Sequence, residues 1–149
     1  MKVTLLFGTE SGNAELLCED LGDALAGDHD VAVANLSDSD PATLDHARFH
    51  IVVCSTYGAG ELPDSAQEFF AKLDAEKPDL TGLRFAIFGL GDRSYGETFA
   101  NGSQIAMTKL EAAGAARIGP RGLHDASGIV PAEEIALPWA LERLKEASA

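Results

Sequence analysis

The chain has 149 residues, of which 46% are apolar and 23% charged; this is the composition of a globular domain and excludes a disordered or collagen-like chain. Eleven Lys and Arg against 24 Asp and Glu give a net charge of −13, which disfavours nucleic acid and anionic membranes as partners and favours basic ones. No apolar run approaches the roughly 18 residues of a membrane span, and Met1–Phe7 is too short an apolar stretch for a signal peptide, so the expected location is the cytoplasm.

Two hydrophobic periods alternate along the chain. Lys2–Phe7 reads as a buried strand bounded by Gly8. Asn13–Ala26 reads as a helix burying Leu17, Leu21, Ala24 and Leu25, with Gly27 as its stop. Asp30–Asn35 is a second strand, and Pro41–His46 makes one helical turn. Phe49–Ser55, almost wholly apolar, is a third strand with a central position. Pro63 starts a helix to about Glu76 that turns Ala66, Phe69, Phe70 and Leu73 inward. Leu83–Gly89 is a fourth strand, and a helix from about Phe99 to Ala113 buries Ala106, Leu110 and Ala113. Ala115–Gly119 is a short fifth strand and Pro120–Val130 is irregular. Pro131–Glu146 is helical in pattern, with Ile135, Trp139 and Leu144 as core candidates and a break at Pro138. This alternation predicts an α/β domain spanning residues 1–149: a parallel, doubly wound sheet with helices on both faces.

Ligands of such sheets bind at the carboxyl ends of the strands. Three loops there carry unusual residues. Gly8-Thr9-Glu10-Ser11-Gly12-Asn13-Ala14 places backbone N–H groups and two hydroxyls at a helix N-terminus, as a phosphate requires. It is neither a Walker A loop nor a G-x-G-x-x-G fingerprint, and a plain turn with a Ser or Asn helix cap would read the same way. Ser55-Thr56-Tyr57-Gly58-Ala59-Gly60 and Leu90-Gly91-Asp92-Arg93-Ser94-Tyr95-Gly96 each set an aromatic residue among glycines. Together the loops describe a phosphate clamp and two aromatic plates, suited to a flat heteroaromatic phosphate. Cys18 and Cys54 lie among apolar residues and read as buried free thiols. His46 and His50 share helical spacing but straddle a strand start, which speaks against a metal pair.

These three loops, in this order, resemble those of the flavodoxin family over nearly the whole chain. Ser55–Asp64 is most similar to MioC-type flavodoxins and to the FMN domains of diflavin reductases such as sulfite reductase. The resemblance implies a three-layer sandwich with a five-stranded sheet in the order 2-1-3-4-5. The short stretch between Gly114 and Trp139 implies a short-chain member, without the insertion that splits the fifth strand of long-chain flavodoxins. It implies FMN as cofactor, with its phosphate held by Thr9, Glu10, Ser11, Gly12, Asn13 and Ala14. Ser55, Thr56, Tyr57, Gly58, Ala59 and Gly60 would meet one face of its ring. Leu90, Gly91, Asp92, Arg93, Ser94, Tyr95 and Phe99 would meet the other, with Asp125 near the ring edge. One departure is visible: relatives have Tyr-x-x-Phe, whereas Tyr95 to Phe99 here is one residue longer.

The implied function is one-electron transfer by a monomeric, acidic carrier that catalyses nothing alone. A flavin-containing NADP reductase would be its basic donor, and a redox enzyme its acceptor. An acidic, lysine-free site would also lower the potential of the fully reduced flavin. Two other functions remain open: an FMN-dependent NAD(P)H:quinone-type oxidoreductase, and an apo interaction module on the same fold. A phosphate-receiving signalling module needs aspartates at the ends of strands one and three, where Gly8-Thr9 and Ser55-Thr56 stand.

Overall fold

Short apolar runs ending in glycine or small polar residues build the centre of the molecule. The computed structural model describes residues 1–57, 60–92, 96 and 100–148. β1 (Lys2–Gly8), β2 (Asp30–Asn35), β3 (Phe49–Cys54) and β4 (Arg84–Gly91) are parallel and lie side by side as β2-β1-β3-β4. Every residue of β3 is buried, as its continuous apolar sequence and central place require. Beyond β4, one edge position is shared by β5 (Ala116–Arg117) and β6 (Gly122–Asp125), both parallel to β4. Phe85 pairs with Arg117 and Phe88 with Gly122, so this fifth strand carries two extra residues in the break between its halves. The expected order 2-1-3-4-5 holds, with the fifth strand broken by a bulge.

The helices cover both faces. α1 (Asn13–Leu25) and α4 (Ala132–Ser148) pack on Val3, Leu5, Phe7, Ile51, Val53 and Phe88. α2 (Asp64–Glu76) and α3 (Asn101–Ala112) pack on Leu6, Val52, Cys54, Phe85 and Ile87. Alternate residues of each strand therefore serve opposite cores.

Four expectations need correction. Ala24 is exposed, and the inward stripe of α1 runs through Ala14, Leu17, Cys18, Leu21 and Leu25. Residues 120–130 are not all irregular, because Gly122–Asp125 pairs with β4. α4 does not break at Pro138. The proline is exposed, so the carbonyl it leaves without an intrahelical donor can turn to water. Ile135 is 37% exposed, and small residues face the sheet instead: Ala136, Ala140 and Ala147, with Leu144. Cys18 and Cys54 are buried free thiols, and burial pushes both thiol pKa values up. No helix among the described residues is long and apolar enough to cross a membrane.

Candidate functional site

The carboxyl ends of β1, β3 and β4 meet at one edge of the sheet, where a cleft of about 440 Å³ opens. That lies within the range of about 300–1,000 Å³ typical of cofactor sites. Glu10, Ser11 and Asn13 from the first loop, Ser55 and Thr56 from the second, and Leu90, Gly91 and Asp92 from the third all line it.

The first loop is a tight turn into α1. Gly12 sits at φ 94°, and a β-carbon there would meet nothing within 4 Å, so backbone conformation rather than crowding selects glycine. Its N–H donates to Thr9 Oγ1 at 2.8 Å. Gly12 is also the N-cap of α1, and no side chain caps the helix there. The Ser or Asn cap that the sequence allows is therefore not made. The first N–H bonded back to the loop is that of Leu16, to Gly12 O at 3.0 Å. Among the described residues, the N–H groups of Ser11, Asn13, Ala14 and Glu15 have no acceptor. Forgoing a side-chain cap costs on the order of 1 kcal/mol, which an anion at this end of the helix offsets.

A second set of contacts fixes the loop to α2. Thr9 N–H donates to Ser65 Oγ (2.8 Å), and Ser65 N–H donates to Thr9 O (3.2 Å). Asp64 N–H donates to Glu10 Oε2 at 2.6 Å. The positive end of α2 thus partly offsets the charge of Glu10, the one acidic side chain of this loop.

The second and third loops are tied together by the start of α3. Gly102 N–H donates to Thr56 Oγ1 (2.9 Å), and Asn101 Nδ2 donates to Gly60 O (2.6 Å). A β-carbon on Gly102 would collide with Ser55 O, so only glycine fits this junction. Tyr57 and Glu61 exchange N–H···O bonds of 2.8 Å, closing a short hairpin, and Tyr57 is 44% exposed. Ser55 N–H donates to Gly8 O at 3.0 Å, joining the second loop to the first.

Of the described sequence-predicted residues, Thr9, Gly12, Ala14, Tyr57, Gly60 and Asp125 do not line the cleft. Ala14 is buried in the α1 core, and only its N–H faces the first loop's task. Asp125 ends β6, where its Oδ1 accepts from Ser127 N–H (2.9 Å) and Ser127 Oγ (2.6 Å); its neighbours His124 and Ala126 line the cleft. Gly58, Ala59, Arg93, Ser94, Tyr95 and Phe99 lie outside the described residues. Sequence reasoning missed Leu16, Leu17 and Asp20, which share one helical face with Asn13 and line the cleft. It also missed Ala132 and Glu133 at the start of α4, and the supporting residues Ser65, Asn101 and Gly102. The helical spacing from Asn13 was a usable signal; nothing local in the sequence announced the others.

The donor set, the glycine turns and the cleft all fit a cofactor that ends in a phosphate. The family model for flavodoxin matches residues 5–137. The sulfite reductase (NADPH) flavoprotein alpha-component of Bacillus subtilis is 38% identical over 148 residues, covering 98% of this chain and 24% of that protein. The chain spans only 7% to 24% of the length of the long curated relatives it matches. The protein MioC homolog of Haemophilus influenzae is 30% identical over 139 residues, covering 93% of this chain and 94% of that protein. A cysteine-to-alanine mutant of flavodoxin from Pseudomonas aeruginosa superposes with a TM-score of 0.86 at 32% identity, covering 100% of both chains. With its sheet order and these relatives, the chain belongs to the flavodoxin family, whose members bind FMN.

Proposed function

We propose that this chain is a freely diffusing electron carrier, reduced by a basic flavin-containing NADP reductase and oxidised by a separate redox enzyme. It would not oxidise NADPH unaided. FMN, when bound, supplies reversible one-electron chemistry; the chain's part is binding and electrostatic tuning. The N–H groups of Ser11, Asn13, Ala14 and Glu15 would hold the phosphate, with the hydroxyls of Thr9 and Ser11 alongside. The second and third loops, including Tyr57, Gly58, Ala59, Gly60, Tyr95 and Phe99, would meet the ring, and Asp125 would stand near its edge.

The uncapped N-terminus of α1 beside the cleft carries this reading. A charge-assisted hydrogen bond contributes about 1.5–3 kcal/mol, and salt screens the chain's net repulsion beyond about 8 Å. Several short bonds therefore outweigh a distant negative charge of −13. Among the described residues no Lys or Arg lines the cleft, whereas Glu10, Asp20, Asp92 and Glu133 do. Arg48 and Arg84 lie at the opposite, amino-terminal edge of the sheet: Arg48 donates to Val3 O and Arg84 to Ala147 O. The face that would exchange electrons is thus the acidic one, which favours a basic partner.

The test is a titration of apoprotein with FMN and with riboflavin, followed by NADPH with and without a reductase. FMN should bind one to one and riboflavin at least about a hundredfold more weakly, since at least two phosphate bonds are lost. NADPH should bleach the flavin only when the reductase is present. Equal binding of the two flavins would remove the phosphate clamp, and rapid reduction by NADPH alone would make the protein an oxidoreductase in its own right.

A further inference from the structure

The break between β5 and β6 has a consequence at the cofactor site. Arg121 lies in that break. Its Nη1 donates to Ala100 O at 2.9 Å and to Ser103 Oγ at 2.7 Å. Ser103, fully buried, donates its hydroxyl proton to the same Ala100 O at 2.8 Å. Ala100 ends the third loop and is the N-cap of α3. It adopts φ 53°, a left-handed conformation that costs an L-residue about 1–2 kcal/mol. The strain is matched by a close approach: a β-carbon on Gly91 would lie 2.5 Å from Ala100 N. Gly91 and Ala100 both line the cleft.

The position of this guanidinium is unfavourable on stability grounds alone. It stands at the N-terminus of α3, the positive end of the helix. It is partly buried; among the described residues its hydrogen bonds go to neutral oxygens and no carboxylate lies within ion-pair distance of it.

We propose that Arg121 is a positioning residue of the cofactor site: it locks the strained Ala100 carbonyl, fixes the wall that Ala100 and Gly91 form, and places a positive charge behind it that has no carboxylate partner among the described residues. The proposal rests on the FMN reading. The two bulge residues of the fifth strand let the chain leave the sheet edge here, which puts Arg121 within reach of α3.

Arg121→Met and Arg121→Lys, each as the full chain, test this with three readouts. In apoprotein without flavin, amide hydrogen exchange at Gly102 and Ser103 should rise at least tenfold in Arg121→Met. The FMN dissociation constant should rise about tenfold in the same variant. The midpoint potential of bound flavin should fall in Arg121→Met and return toward wild type in Arg121→Lys, which keeps the charge. Unchanged exchange, affinity and potential in Arg121→Met would overturn the proposal. So would a loss of affinity that only tracks a lower melting temperature, with the potential unmoved and no rescue by lysine. Wild-type protein that fails to bind FMN would instead overturn the cofactor reading, while the exchange readout would still report on the Ala100 lock.

Discussion

His50 shows how one residue carries a cost that the fold tolerates. It is 2% exposed on β3, surrounded by Leu6, Leu44, Phe69 and Phe85, and its Nδ1 has no hydrogen-bond partner among the described residues. Burial is the main reason that its pKa falls to about 4; the nearby Arg48 and His46 charges lower it further, while a backbone hydrogen bond at Arg48 and the Asp45 charge oppose them. The folded chain thus holds His50 neutral where the unfolded chain, with a pKa near 6.5, would protonate it. The resulting stability is complete above about pH 6.5 and is lost as pH falls from there toward 4. At about 1.4 kcal/mol per unit, the full loss is about 3 kcal/mol. His50→Leu should therefore be at least as stable as wild type at pH 8, and its urea midpoint should fall less between pH 7 and 4.5. Parallel pH profiles for the two proteins would show that His50 does not titrate against burial.

Among the elements, α2 and α4 depart most from what their own sequences supply. The N-cap of α2 is Pro63, which offers no side-chain cap, so the helix borrows Glu10 and the Thr9–Ser65 exchange from a loop more than fifty residues away. Removing such a cap costs about 0.5–2 kcal/mol. Glu10→Ala should lower apoprotein stability by about that amount in urea unfolding, and Glu10→Gln, which keeps an acceptor oxygen, should lose less. Equal stability of all three would mean that α2 needs no external cap. α4 runs through Pro138 although a proline inside a helix costs about 3 kcal/mol. Pro138 is exposed, so Pro138→Ala should raise the melting temperature without touching the sheet face. A lower melting temperature would show that the residue packs for a purpose of its own.

At the scale of the molecule, the cleft lining is acidic. Acidic side chains line the cleft at the carboxyl edge, and Arg48 and Arg84 bind backbone carbonyls at the amino edge. If a basic reductase docks on the acidic edge, its rate of flavin reduction should fall steeply as salt rises from about 0.01 M to 0.5 M, because the Debye length shrinks from about 30 Å to under 10 Å. A rate that ignores salt would argue for apolar docking instead. Binding also couples to folding: FMN at about a hundred times its dissociation constant should stabilise the chain by about 2.7 kcal/mol.

The sequence alone determined the layer architecture, because period-2 and period-3.6 hydrophobicity is a local property that survives without neighbours. β3 announced its central place through an unbroken apolar run, and the first loop announced a glycine turn into a helix through its small residues. The tertiary structure decided what depends on partners distant in the chain. Gly122–Asp125 is too short to read as a strand until β4 supplies its hydrogen bonds. Ile135 looked inward by its hydropathy, but the space over the sheet suits Ala136 and Ala140. Glu10 could be placed in a phosphate loop from sequence, yet its bond to α2 exists only because folding brings Asp64 beside it. Local patterning fixes which elements form; only packing decides which polar groups meet across them.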